Sequence, residues 1–169
     1  MPWGGGAVTG RTVPDPALRC ADPAARALVS AAFQVIASRY VLARHQIAAA
    51  IVDADGGVHV GLHLDAMVGR AAVCAEAGAL SAARLATDAE LVAVAAVRFP
   101  KPTELAVARI VPPCGVCREL LLDHAPGLAV VVDHVGGQAL LEPIAALLPH
   151  KYRGTKWPVP PYASPAELS

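Results

Sequence analysis

Two short segments hold the residue types from which a reactive centre can be built: Cys74-Ala75-Glu76 and Pro113-Cys114-Gly115-Val116-Cys117. Each reads as a loop that runs directly into a helix. A helix start leaves backbone N–H groups free and carries the positive end of the peptide dipoles, so a thiolate placed there is stabilised. Three thiolates from Cys74, Cys114 and Cys117 would suit Zn2+, leaving a net negative charge that two helix ends can offset. Three protein ligands also leave one tetrahedral position open, the arrangement of a catalytic rather than a structural zinc. Zinc in such a site lowers the pKa of water toward neutrality. Glu76 follows the first thiol closely enough to take up a proton there and hand it on.

Taken alone, Cys114-x-x-Cys117 also fits a redox pair or half of a structural zinc knuckle. A redox pair has no need of a distant third cysteine beside a glutamate, and a knuckle usually needs a fourth ligand. The remaining cysteine, Cys20, falls in a Gly- and Pro-rich stretch and reads as an unpaired thiol.

The elements that must position these residues follow from the 169-residue length and the hydrophobic pattern. One domain of this size buries roughly 68–70% of its unfolded surface and needs no disulfide framework. Residues 1–22 lack periodicity and read as a loose arm. Asp22-Pro23 supplies an N-cap and a first-turn proline for a helix to Arg39, with Leu28, Ala32, Val35 and Ile36 on one face. Ile47 to Asp53 and Val58 to His63, joined through Asp55-Gly56-Gly57, predict a β-hairpin. A helix from Cys74 to Ala86, a buried strand from Leu91 to Val97 and a strand from Leu105 to Val111 come next. A helix from Gly115 to His124, a strand from Leu128 to Val132, a further strand at Leu140-Leu141 and a helix from Glu142 to Leu148 complete the order. Helices packed over a mixed sheet of about five strands make this an α/β protein. Residues 153–169, around Trp157-Pro158-Val159-Pro160-Pro161, read as a Pro-rich tail.

Partners are bounded by charge. Lys plus Arg and Asp plus Glu stand at 14 each, and no basic block stands out, which argues against nucleic acid as substrate. A small heterocyclic amine fits better. The start of the chain has no basic segment followed by an apolar one, and the apolar runs are too short and interrupted for a membrane span. A cytoplasmic setting is expected, where thiols stay reduced and clustered cysteines bind metal more often than they pair. The abundance of Ala, Val and Leu leaves apolar surface for subunit contacts.

Cys74-Ala75-Glu76 with Pro113-Cys114-Gly115-Val116-Cys117-Arg118 resembles the [His/Cys]-Ala-Glu … Pro-Cys-x-x-Cys signature of the cytidine deaminase superfamily. Ala48-Ala49-Ala50 is similar to that family's Val-Gly-Ala-Ala strand, and Leu147-Leu148-Pro149 to its C-terminal Leu-Leu-Pro. The resemblance spans roughly Asp22 to Tyr152. It implies a deaminase domain over residues 23–152 with a three-layer α/β/α fold, Cys74, Cys114 and Cys117 as zinc ligands, and Glu76 as the proton carrier. It also implies hydrolytic release of ammonia from a cytidine-like nucleoside or base, in a dimer or tetramer whose C-terminal aromatics, here Tyr152 and Trp157, cover a site across an interface.

The departures bear on substrate. Where cytidine deaminases carry Asn-x-Glu to grip ribose, this chain has His63-Leu64-Asp65. Where they set a Phe against the pyrimidine, it has His45 or Gln46. The arginine that often follows the catalytic glutamate is Ala77, leaving Arg118 to offset thiolate charge. His63, Asp65, Ala75 and His45 are the substrate-binding candidates, and Arg70 can reach a substrate or a neighbouring subunit. A modified cytosine antibiotic such as blasticidin S, another aminated heterocycle, or a catalytically silent zinc-stabilised scaffold are the alternatives.

Overall fold

A computed structural model describes residues 12–134, 137–152 and 154. Asp22 caps the first helix, α1 (Pro23–Arg39), by accepting from Ala25 N at 2.7 Å. The hairpin follows as β1 (Ile47–Asp53) and β2 (Val58–Leu62), then α2 (Ala75–Ala86) and β3 (Leu91–Arg98). The second half holds β4 (Arg109–Ile110), α3 (Gly115–His124), β5 (Ala129–Asp133) and β6 (Ala139–Pro143). The strands form one six-stranded sheet in the order β2-β1-β3-β5-β6, with β4 paired to the end of β3. β3 and β5 run parallel and every other pairing is antiparallel, so the sheet is mixed.

Side-chain alternation sends successive strand residues to opposite faces. Ala48 and Ala50 of β1 meet α1 together with Ala95 and Val97 of β3. Ala49 and Ile51 face α2 and α3 with Val94 and Ala96. Two apolar layers therefore sandwich the sheet, giving the three-layer α/β/α arrangement. The alanines, weak strand formers in isolation, are held here by pairing on both sides and by complete burial. Their small size lets helices lie close to the sheet.

The closest approach is between β2 and α2. A Cβ added to Gly61 would lie 2.2 Å from the Ala75 carbonyl oxygen and 2.2 Å from Ala79 N. One added to Gly78 would lie 3.5 Å from the Gly61 Cα. Backbone rests on backbone there, which fixes the height of the α2 first turn above the sheet.

The hairpin turn is organised by Asp53, which is buried. Its Oδ1 accepts from Gly57 N at 2.7 Å and Asp55 N at 3.0 Å, while Oδ2 is 2.7 Å from His59 Nε2. Gly56 supplies the positive φ of 85° that closes the turn.

Three segments depart from the sequence expectation. The strand anticipated over Leu105–Val111 is reduced to Arg109–Ile110. Glu104 explains this: it accepts from Arg98 Nη2 at 2.8 Å and from Lys101 N at 3.0 Å, curling the chain into a loop that leaves Leu105 and Val107 exposed. The helix anticipated from Glu142 to Leu148 is a 3-10 turn, Ile144–Leu147, because Glu142 and Pro143 instead pair with Val130 and Ala129. Part of the N-terminal arm is docked. Pro16–Arg19 forms a 3-10 turn, Ser30 Oγ donates to Asp15 at 2.7 Å, and Arg19 pairs with Asp133 at 2.8 Å. Cys20 is buried and bridges to Ala139. Trp157 and the Pro-rich tail lie outside the described residues.

Two measurements test this packing. Gly61→Ala should cost at least about 1–3 kcal/mol, because backbone rather than a flexible side chain must move; denaturant unfolding at wild-type stability would refute the close approach. The second concerns pH. Asp53 is held below the usual carboxylate range, chiefly by His59, with burial opposing and the Gly57 and Asp55 N–H groups assisting. A depressed carboxyl pKa stabilises the fold above the unfolded value of about 3.9 and is lost as pH falls through the lower folded value. Asp53→Asn should therefore lower Tm at neutral pH, with the gap to wild type narrowing under acid. A gap that stays constant with pH would remove the ionised carboxylate from the explanation.

Candidate metal centre and active site

The chain brings the sulfurs of Cys74, Cys114 and Cys117 within 4.8 Å of one another. Cys74 and Cys114 occupy the N-cap positions of α2 and α3, where the first N–H groups of each helix have no intrahelical partner. Cys74 Sγ lies 3.6 Å from Cys114 Sγ. A tetrahedral ion with metal–sulfur bonds of about 2.3 Å sets its sulfurs about 3.8 Å apart, so the donor set fits such an ion.

The thiols disturb one another. Burial pushes the Cys74 thiol up, with the neighbouring Cys114 adding to it. Burial pushes Cys117 up as well, reinforced by the negative charges of Glu76, Cys74 and Cys114. For Cys114, burial acts upward, but the Cys117 N–H, the two neighbouring sulfurs and the Val116 N–H outweigh it, and its thiol falls below the ordinary value. Ionisation is eased at one thiol and opposed at the other two. A divalent ion removes that resistance.

Glu76 sits in the first turn of α2 and is buried, with 6% of its surface exposed. Burial raises its carboxyl pKa, while its own backbone N–H, a hydrogen bond with Cys117 and the nearby His63 pull the other way. A carboxyl held closer to neutrality beside a thiol cluster can exchange protons in both directions.

The substrate candidates are arranged unequally. His63 leaves the end of β2 toward Glu76; its N–H bonds the Ile47 carbonyl at 2.9 Å, and its Nδ1 is buried and bonds no group among the described residues. His45 stands beside it, with Nδ1 2.9 Å from the His63 carbonyl oxygen. A carbonyl only accepts, so His45 Nδ1 carries a proton and donates it to that oxygen. The loop that presents His45 holds Ala43 at φ 59°, a costly conformation for a residue with a Cβ. Val41 N–His45 O at 3.2 Å, Arg44 N–Val41 O at 3.0 Å and Asp65 N–Arg44 O at 2.9 Å hold it in place. Asp65 is exposed, its Oδ1 accepting from Ala66 N at 2.9 Å. Ala75 is buried beside Cys74, with its carbonyl against Gly61. Arg70 and Tyr152 are exposed, and neither is fastened to this cluster.

Sequence reasoning expected Arg118 to offset thiolate charge. Its guanidinium donates to two carbonyls, Nε to Pro113 at 2.8 Å and Nη1 to Leu147 at 3.0 Å. The reading of the sequence also passed over Gly61. The signal was available, because a glycine inside a strand pattern often marks a close backbone approach.

No family model matches the chain. Blasticidin-S deaminase of Bacillus cereus is 36% identical to it over 126 residues, covering 74% of this chain and 89% of that protein. The crystal structure of cytidine deaminase from Mycobacterium tuberculosis aligns with a TM-score of 0.56 at 27% identity, covering 72% of this chain and 91% of that one. The cytidine deaminase of Burkholderia pseudomallei aligns with a TM-score of 0.60 at 27% identity, covering 75% and 97%. The two solved structures align with the fold described above, and with a relative this similar over most of its length, the chain belongs to the cytidine deaminase superfamily and is a deaminase.

Proposed function

We propose that the protein is a zinc-dependent hydrolytic deaminase that replaces the exocyclic amine of a cytidine-like nucleoside or base with oxygen and releases ammonia. The observation that carries this reading is the meeting of three thiols with a buried carboxyl that neighbours them in sequence and in space. Cys74, Cys114 and Cys117 would hold the zinc, whose Lewis acidity makes water an available nucleophile near neutral pH.

Glu76 does the proton work. Ionised, it accepts a proton from the attacking water; burial then makes that proton worth holding until the ring nitrogen beside the aminated carbon receives it. The second proton of water goes to the amine, which leaves as ammonia while the carbon keeps the oxygen. His63, His45 and Asp65 would line the substrate side, and Ala75 would offer its backbone groups between Cys74 and Glu76. Exposed Leu64, Met67 and Val68 along the loop before Cys74 support a homo-oligomer.

A modified cytosine antibiotic of the blasticidin S type is the second reading. Two observations favour it: His63 stands where ribose-gripping asparagine is found in cytidine deaminases, and the 36% identical relative carries that name.

Ammonia release from cytidine, deoxycytidine, cytosine and blasticidin S by zinc-loaded protein is the deciding assay. Glu76→Gln should keep zinc and lose about 10²–10⁴-fold in rate. Wild-type activity in that variant, or after complete chelation, would sink the mechanism. Cys117→Ser should abolish stoichiometric zinc binding, and retention of one tightly bound zinc per chain would refute the three-thiol site. A loaded protein that releases ammonia from none of the four would turn the argument toward a silent scaffold.

A further inference from the structure

We propose that Arg118 is a positioning residue of the metal centre: its guanidinium staples the turn carrying Cys114 and Cys117 and ties that turn to the C-terminal segment. The inference rests on the zinc reading of the three thiols.

Arg118 directly follows Cys117, yet its contacts reach back past Cys114. Its own N–H bonds the Cys114 carbonyl at 2.9 Å, and its Nε donates to the Pro113 carbonyl at 2.8 Å. The main-chain bond is the ordinary first i→i−4 bond of α3; the guanidinium adds a hold on the Pro113 carbonyl, just ahead of the first of the two thiols. Cys114 itself occupies the capping position of α3, so a hold on the residue before it bears on where its thiol sits.

The other end of the guanidinium is anchored to a fixed point. Nη1 donates to the Leu147 carbonyl at 3.0 Å, in the 3-10 turn Ile144–Leu147. Ile144 is fully buried and its N–H bonds the Leu128 carbonyl at 2.9 Å. Lys151 then pairs with Glu119 and with Asp123, strapping the same segment to the outer side of α3. A rigid planar fork satisfies carbonyls on two separate segments, which an ammonium on a flexible stem does not do in the same geometry.

Loss of such an outer support typically weakens metal binding about 10–100-fold. Zinc transfer from the loaded full-length protein to a chromophoric chelator should be eased by that factor in Arg118→Ala and Arg118→Lys alike. The sulfur-to-metal charge-transfer band of the Co2+ form should shift in both. Lys151→Ala is the structural control: it cuts the outer strap and lowers Tm, but should leave zinc affinity and the Co2+ spectrum unchanged. Wild-type affinity in Arg118→Ala overturns the role. Full rescue by Arg118→Lys also overturns it, assigning the effect to charge. Equal weakening in Lys151→Ala overturns it in favour of general stability. Wild-type protein that holds no zinc removes the parent reading, and this role with it, which separates the two failures.

Discussion

The contact on which this structure depends is the one between two stretches of backbone: Gly61 of β2 against the first turns of α2. Most helix–sheet packing is mediated by side chains, whose rotamers adjust when a neighbour changes. Here the α2 backbone sits where a Cβ of Gly61 would have been, so its height above the sheet is set by main-chain dimensions. The first turn of α2 carries Cys74, Ala75 and Glu76. Its depth therefore decides how far Glu76 is withdrawn from water and where the Cys74 sulfur meets those of α3. Gly78 continues the arrangement from the helix side, and the Ala-rich faces of β1 and β3 allow the rest of the helix to follow.

Once the helix starts are fixed, electrostatics follows from crowding. Burial pushes Cys74 and Cys117 up, and repulsion among the sulfurs and the carboxylate adds to it, while backbone N–H groups and the neighbouring sulfurs draw Cys114 down. The helix starts offer partial positive charge, enough to favour one thiolate but not three. Such a cluster is an unfavourable ensemble of acids without a cation and a favourable ligand set with one. The same desolvation that burdens the thiols raises the proton affinity of Glu76, so burial serves metal binding and proton exchange together.

Much of this was legible in the residues. Asp22-Pro23 marked the start of α1, Asp55-Gly56-Gly57 marked the hairpin turn, and the cysteine spacing marked the starts of α2 and α3, because these signals are local. The features that escaped depend on partners distant in the chain. Nothing near Leu105 reveals that Arg98 and Lys101 hold Glu104 and curl the strand away. Nothing near Cys20 reveals the bridge to Ala139 that draws part of the arm onto the sheet. Arg118 was identified as a cation near thiols, which its sequence position supports. That it also serves two carbonyls depends in part on where the Ile144–Leu147 turn comes to rest. The pairing of His45 with the His63 carbonyl is of the same kind, joining the loop before β1 to the end of β2.

The thiol set is thus assembled from two halves with unlike supports. Cys74 and Glu76 are placed by backbone packed on backbone, a contact with no adjustable part. Cys114 and Cys117 are placed by α3, which packs Cys117, Leu121 and Leu122 into the core and whose start is tied by Arg118 to the Pro113 and Leu147 carbonyls. The carboxyl belongs to the first, rigid half, so its depth is set apart from the support of the second. The division also separates what can vary. The loop before Cys74 and the imidazoles of His45 and His63 lie beside the rigid half but do not form its packing contact. Those residues can change without altering the depth of Glu76, so substitutions at positions 45, 63 and 65 are compatible with an intact thiol and carboxyl arrangement.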